Sequence, residues 1–137
     1  MSKISGPILD RIDIHVEVPA VNYKKLSGQA SGESSDAIRE RIKCAREIQL
    51  ERFADKKGIY SNAHMMTKLI RECCEISRDG DALLKTAMSK LGLSARAYDK
   101  ILKVGRTVAD LDQSERIEPF HLSEAIQYRT LDRKYWT

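Results

Sequence analysis

The sequence predicts a mainly α protein, a helical bundle of about five helices preceded by a short turn and one orphan β-strand. Apolar residues recur at helical spacing from residue 35 to residue 129, whereas residues 12–18 alternate apolar and polar side chains. Between these parts, residues 20–34 are rich in glycine and serine, which is typical of a linker. We therefore expect three segments, residues 1–19, residues 20–34 and a helical domain over residues 35–137.

The composition is that of an ordinary globular protein. Of the 137 residues, 42% are hydrophobic and 32% are charged, and a chain of this size can bury a core without disulfides or metals. The net charge is only +4 with acids and bases interleaved, so contact with nucleic acid is permitted but not indicated. Neither a membrane-spanning apolar run nor a secretory signal is present, and we expect a cytoplasmic protein without membrane partners.

The first segment combines a turn with a strand. Pro7 suits the first position of a short helical turn that reaches Arg11. The strand shows β-branched residues at every second position, namely Ile12, Ile14, Val16 and Val18. A single strand cannot satisfy its own backbone groups, so its sheet would have to come from another molecule or from outside this sequence. We expect residues 1–34 to be poorly anchored.

Five helices are predicted after the linker. The first is capped by Ser34 or Ser35 and reaches about residue 54, with an inward stripe that includes Ile38, Ile42, Ala45 and Phe53. The second is predicted over residues 63–76 and the third over residues 81–91. Ser94 caps the fourth and longest helix, and the fifth covers residues 120–129.

Residue types that support metal binding or catalysis are present, but not in a recognisable arrangement. The sequence has no Gly-Lys pair of a phosphate-binding loop and no metalloprotease or serine-hydrolase motif. Cys44, Cys73 and Cys74 are predicted to be reduced thiols in the core. A zinc site made of Cys73, Cys74 and His64 fits no common ligand spacing, so we predict no metal site.

Two arginines stand out by their position. Arg96 lies in the first turn of the fourth helix, where a positive charge opposes the helix dipole. That placement is favourable if an anion binds there, because helix N–H groups and a guanidinium together form a phosphate site. The plainer alternatives are a solvated Arg96, and a surface Arg11 that pairs with Asp10 or Asp13.

A helix-turn-helix DNA-binding module over residues 87–104 is an alternative from another class. The segment AMSKLGLSARAYDKILKV reads as two helices joined by a glycine turn, and Arg96 and Lys100 would face the groove. Met88 stands where a small residue normally lets the helices approach, and Asp99 would face the phosphates, so both argue against this alternative. A helical interaction domain is the remaining possibility.

Longer motifs point to a family. The segments SGPILDRIDIHVEVP, GESSDAIRERIKCAREIQLERF, LSARAYDKILKVGRTVADL and HLSEAIQYR resemble, in this order, the C-terminal part of magnesium chelatase-like AAA+ ATPases. Within that family they look most similar to the bacterial competence-protein group, ComM/YifB. The resemblance implies the helical lid of a ring-forming, hexameric ATPase, whose α/β core would bind ATP and Mg²⁺ and whose substrate would be DNA.

The resemblance also assigns roles to the two arginines. By match to ILDRID, Arg11 is the arginine finger, which acts in trans on the nucleotide of a neighbouring subunit. By match to LSARAYDKIL, Arg96 is the sensor-2 arginine, which contacts ATP phosphate in cis. Arg106 is expected to be structural or interfacial. Because the P-loop, Walker B and sensor-1 segments are absent from this chain, we expect neither activity nor a bound cofactor for it alone.

Overall fold

A computed structural model describes residue 8, residues 11–20 and residues 32–129 of the chain. These residues contain five α-helices: α1 (Ser35–Arg52), α2 (Thr67–Cys73), α3 (Arg78–Leu91), α4 (Ala95–Leu111) and α5 (Pro119–Gln127). A short 3-10 turn, Asn62–His64, lies between α1 and α2. The predicted mainly α architecture is confirmed. Residues 21–31 of the predicted linker lie outside the described residues, and no described helix is long and apolar enough to cross a membrane.

The ends of the long helices are fixed by local caps. Ser34, Ser77 and Ser94 each accept a hydrogen bond from the backbone N–H three residues later, at 3.1–3.2 Å, and so start α1, α3 and α4. Gly92 ends α3 in the left-handed conformation, with φ of 62°. The third helix therefore begins at Arg78, three residues before its predicted start, because Ser77 is a cap that the sequence analysis misses.

The prediction for the second helix is wrong in its extent. In place of one helix over residues 63–76, the chain has the 3-10 turn and the seven-residue α2. Before α2, the side chain of Asn62 turns inward and donates to Asp110 of α4 at 2.8 Å, which ties the 3-10 turn to α4. After α2, Ile76 leaves the helical conformation and forms an isolated parallel bridge with Ile117.

The core lies around α4, which packs against α1, α2 and α5. Leu122 of α5 is completely buried, and it faces a glycine on each of two neighbouring helices. A Cβ atom on Gly80 would lie 3.0 Å from one methyl group of Leu122, and a Cβ atom on Gly105 would lie 3.2 Å from the other. The missing side chains at these two positions let α3 and α4 approach α5 closely.

Only the second half of α1 belongs to the core. Its buried residues are Ala45 and Gln49, and every residue from 35 to 44 is exposed. The prediction that Ile38 and Ile42 face inward is therefore wrong, since they are 38% and 49% exposed. Helical spacing defines a face, but α1 extends past the elements that would cover it. Surface ion pairs accompany this half: Asp36–Arg39, Glu40–Lys43 and Glu33–Arg41.

The last helix is shorter than predicted at its C-terminal end. It begins at Pro119, where the backbone N–H of Glu118 donates to Nδ1 of His121 at 3.0 Å. It ends at Gln127, so Arg129, predicted as its last residue, lies beyond the helix. Arg129 is nonetheless 1% exposed, and its guanidinium donates to the backbone carbonyl of Ile12.

The predicted orphan strand forms no β-ladder within the residues that the structure describes. Two of its backbone groups bind residues that follow α5: the N–H of His15 donates to the carbonyl of Tyr128 at 2.9 Å, and the carbonyl of Ile12 accepts from Arg129. The expectation that this segment is poorly anchored is therefore wrong for residues 12–15. Polar backbone groups of this segment, which has no sheet to pair with among the described residues, are thus bonded to residues of the helical bundle.

Candidate functional site

Arg11 lies at the surface, at the end of a turn. Its backbone N–H donates to the carbonyl of Ile8 at 3.0 Å, and the residue is exposed. The carboxylate of Asp13, one of its two predicted partners, pairs with Lys100 instead, at 2.6 Å. Asp10, the other predicted partner, lies outside the described residues. The guanidinium of Arg11 is thus placed where a group from another molecule can reach it.

Arg96 is exposed in the first turn of α4. The hydroxyl of Ser94 accepts from the N–H of Ala97 at 3.1 Å and starts the helix, and this turn contains no acidic residue. The first turn of a helix also presents N–H groups that the helix itself does not use. A guanidinium beside such a turn combines hydrogen-bond donors with positive potential, which is what a phosphate or another anion requires.

Lys100 joins the segment of Arg11 to the helix of Arg96. It lies one turn after Arg96 in α4, and its ammonium group donates to the carbonyl oxygen of Arg11 while pairing with Asp13. Its side chain is only 16% exposed. The structure therefore brings together the elements that carry the two predicted site residues. The sequence analysis misses this role of Lys100 because the contact joins positions 89 residues apart, and no local sequence pattern indicates such a contact.

The helix-turn-helix alternative loses one of its two recognition residues. A glycine turn does join α3 to α4, as that alternative requires. However, the ammonium group of Lys100 is engaged by the N-terminal segment, and Met88 is half-buried against the core. Of the two side chains that would read DNA, only Arg96 remains exposed.

Arg106, the other arginine of α4, belongs to a buried polar network. Its side chain is 4% exposed, and its Nε donates to the carboxylate of Asp110 at 3.1 Å. Its two terminal nitrogens donate to the backbone carbonyls of Ser114 and Glu115, at 2.6 and 2.9 Å. These contacts give Arg106 the structural role predicted for it and separate it from the candidate site.

The cysteines and histidines do not form a metal site within the described part of the chain. Cys74 is buried, and burial raises the pKa of its thiol to about 12, while burial also raises the pKa of the half-buried Cys73. Cys44 is exposed, so the prediction of a core thiol is wrong for it, because it lies on the half of α1 that extends beyond the core. His64 lies 3.3 Å from the hydroxyl of Ser61 in the 3-10 turn.

Comparison with known families finds matches for both parts of the chain that carry the candidate arginines, the segment of Arg11 and the helical domain of Arg96. Residues 32–129 match the family model described as magnesium chelatase, subunit ChlI C-terminal, which covers well over half of the chain. The chain belongs to the magnesium chelatase ChlI C-terminal family. Residues 1–26 match the companion model, magnesium chelatase, subunit ChlI. In this ChlI-family chain, Arg96 lies in the C-terminal match and Arg11 in the companion match.

Individual relatives agree with the family assignment. This ChlI-family chain is 42% identical over 134 residues to competence protein ComM of Haemophilus influenzae, and 40% identical over 134 residues to the uncharacterized protein YifB of Escherichia coli. Both alignments cover 97% of the chain. The chain spans 25% and 26% of the length of these two proteins, about a quarter of each. The resemblance to the ComM/YifB group of the family is confirmed.

Proposed function

We propose that this chain is the helical lid part of a ring-forming AAA+ ATPase, with Arg11 as an arginine finger in trans and Arg96 as a sensor-2 arginine in cis. The observation that supports the proposal is the arrangement of two exposed arginines, one in a surface turn and one at a helix N-terminus, on elements joined by Lys100. In this proposal, the ATP and Mg²⁺ are held by other parts of a longer, cytoplasmic parent protein.

The exposed position of Arg11 suits the chemistry of a finger. Hydrolysis of ATP develops negative charge on the oxygens of the γ-phosphoryl group as water attacks and the bond to ADP breaks. A guanidinium at that group stabilises the transition state more than the ground state, and it is worth on the order of 10³ to 10⁵ in kcat. Because Arg11 would serve the neighbouring subunit, turnover would require the assembled homo-oligomeric ring, which we propose is a hexamer.

The position of Arg96 suits a sensor of the nucleotide in its own subunit. A phosphate at the start of α4 would meet both the guanidinium and the positive end of the helix dipole. Because α4 is the central helix of the bundle, a change at the phosphate would shift the angle of the whole lid. The described residues contain no cluster of metal-binding side chains, so this chain would supply cationic donors while the parent's core residues hold Mg²⁺.

We also propose that the parent ATPase acts on DNA. The support is the name of one relative, competence protein ComM, to which the chain is 42% identical. A direct DNA-reading role for α4 is less well supported, because Lys100 is engaged within the chain. The DNA surface would then lie mainly outside α4.

The experiment that tests the two roles uses Arg11→Ala and Arg96→Ala in the full-length parent protein. We expect Arg11→Ala to lower kcat by about 10³-fold or more while nucleotide affinity and ring assembly stay unchanged. A role in trans predicts one further result. Mixing Arg11→Ala subunits with subunits that lack the P-loop lysine should restore turnover, since one kind of subunit supplies the lysine and the other supplies the arginine. Arg96→Ala should lower both turnover and nucleotide-linked closure of the lid.

Two arginines of this chain provide matched controls. Arg78 follows the cap Ser77 at the start of α3, so Arg78→Ala removes a guanidinium from an equivalent helix N-terminus. Arg116 is exposed in a loop, and Arg116→Ala removes a surface arginine comparable to Arg11. Unchanged turnover in Arg11→Ala would remove the finger assignment. Equal effects of Arg78→Ala and Arg96→Ala would remove the sensor assignment.

A further inference from the structure

We propose that Lys100 is a positioning residue that couples the two arginines, by holding the turn of Arg11 on the helix of Arg96. This inference rests on the proposed function, because it concerns how the finger and the sensor communicate. Its basis is the contact of the Lys100 ammonium group with the backbone carbonyl of Arg11, together with the ion pair to Asp13.

Lys100 contacts the chain on both sides of residue 12, at the backbone carbonyl of Arg11 and at the side-chain carboxylate of Asp13. An ammonium group has three donors, so it can bind the Arg11 carbonyl and the Asp13 carboxylate at the same time. Because the carbonyl belongs to Arg11 itself, the contact fixes the backbone from which the finger extends. Lys100 is largely shielded from solvent, at 16% exposed, which strengthens its interactions relative to those of a fully hydrated lysine.

Lys100 anchors this segment to α4, and two further contacts hold it to residues that follow α5. Arg129 binds the carbonyl of Ile12, and the carbonyl of Tyr128 accepts from His15. Lys100 is one helical turn from Arg96, on the same rigid element. A change at Arg96 that follows phosphate binding is therefore passed along α4 to the backbone of Arg11 through Lys100.

The arrangement has a consequence for a ring. Arg96 reads the nucleotide of its own subunit, and Arg11 serves the site of the next subunit. A subunit that holds ATP would then set the finger for its neighbour, and hydrolysis at successive sites would be cooperative. Lys100 is the side chain through which this coupling runs.

The test compares Lys100→Met with Lys103→Met in the full-length parent protein. Lys103 lies on the same helix, and its ammonium group also donates to a backbone carbonyl, that of Ala63 at 3.0 Å, so it is a matched control. For Lys100→Met we expect kcat to fall roughly ten- to hundredfold, as for a misplaced catalytic group, with KM for ATP unchanged. The Hill coefficient for ATP should fall towards one. Lys103→Met should keep all three values, and Lys100→Arg should recover part of the lost kcat.

A second readout follows the contact itself in the 137-residue chain. Hydrogen exchange at the backbone N–H of His15 reports whether the segment remains docked, because this group is bonded to Tyr128. We expect Lys100→Met to speed this exchange about tenfold and Lys103→Met to leave it unchanged. Should Lys100→Met prevent folding, Asp13→Asn removes the other half of the ion pair on a side chain that is 64% exposed. That variant should lower kcat in the same direction.

The outcomes separate this inference from the proposed function. If Arg11→Ala leaves turnover intact, the finger role itself fails. If Arg11→Ala abolishes turnover but Lys100→Met behaves as Lys103→Met does, the finger role stands and the coupling role of Lys100 is overturned. Unchanged exchange at His15 in Lys100→Met would overturn it as well.

Discussion

The guanidinium of Arg52 and the carboxylate of Asp110 form a two-pronged ion pair that joins α1 to α4. One arm, from Nη1 of Arg52 to Oδ2 of Asp110, is 2.8 Å long, and Asp110 is completely buried. The same carboxylate accepts from Arg106 at 3.1 Å and from Asn62 at 2.8 Å. The hydrogen bond that Arg52 donates to Asp110 raises the pKa of Arg52 above its ordinary value. One carboxylate thus holds together α1, the 3-10 turn and α4.

Replacing the central carboxylate should destabilise the fold strongly. Asp110→Asn leaves the guanidinium groups of Arg52 and Arg106 facing one another without a counter-charge in a buried place. Removing one partner of a buried ion network typically costs about 3–5 kcal/mol, and we expect that loss in the free energy of unfolding from urea titration. Asp36→Asn is the control, because that carboxylate is 88% exposed and pairs only at the surface. Equal stability of the two variants would contradict the prediction.

Adding a methyl group at Gly105 should also destabilise the protein, although alanine favours a helix. The new Cβ would lie 3.2 Å from Leu122, which cannot retreat because Gly80 is pressed against its other side. Overpacking of this kind costs about 1–3 kcal/mol, against roughly 1 kcal/mol gained from helix propensity. We therefore expect Gly105→Ala to lower the urea midpoint.

A second substitution tests whether Leu122 is the residue that the new Cβ atom at position 105 contacts. In a Leu122→Val background the side chain is shorter, so Gly105→Ala should cost nothing or raise the stability. If the substitution lowers the urea midpoint equally in both backgrounds, Leu122 is not the residue that it meets.

The three thiols should react with iodoacetamide in the order of their exposure. Cys44 is exposed and should be modified first at about pH 8. Cys74 should resist, because burial raises its pKa to about 12 and the thiolate is the reactive form. Raising the pH increases the thiolate fraction only as the pH approaches that value, so native Cys74 should still resist at about pH 10. Mass spectrometry of digested samples checks the order, and early modification of Cys74 would contradict it.

The sequence predicts α4 well because its local signals agree. Ser94 supplies the cap, and the apolar stripe continues to the helix end. Ser77 is an equally good cap for α3, but the polar residues that follow it hide the helix start. Helix existence was predictable from periodicity, whereas helix ends depend on single hydrogen bonds.

The polar interior was not predictable in the same way. Asn62 and Asp110 meet across 48 positions, and Arg52 and Asp110 across 58. Sequence patterns describe neighbours along one helix, so the spacing of Arg106 and Asp110 was visible but the other partners were not. The 3-10 turn makes such a distant contact through Asn62, and no pattern within residues 63–76 indicates it.

The candidate site, too, was predictable only where the signal is local in the sequence. Arg11 and Arg96 could be singled out from motifs and from the electrostatics of a helix start. Their connection through Lys100 depends on the path of the chain in three dimensions. The alternation over residues 12–18 predicted a strand, but these residues form no β-ladder within the described part of the chain, and the N–H of His15 bonds to Tyr128 instead.

The exposed half of α1 is the part of this helix that can unwind without loss of core contacts. From residue 35 to residue 44 the helix is supported by its cap and by surface ion pairs, so it opens at a far lower free energy than the half that carries Ala45 and Gln49. Salt weakens those ion pairs and lowers that free energy further. Each residue that unwinds lengthens from about 1.5 Å to about 3.3 Å along the chain. Unwinding of residues 35–44 would therefore lengthen the chain before the bundle by about 2 nm, while the contacts of Ala45 and Gln49 stay in place.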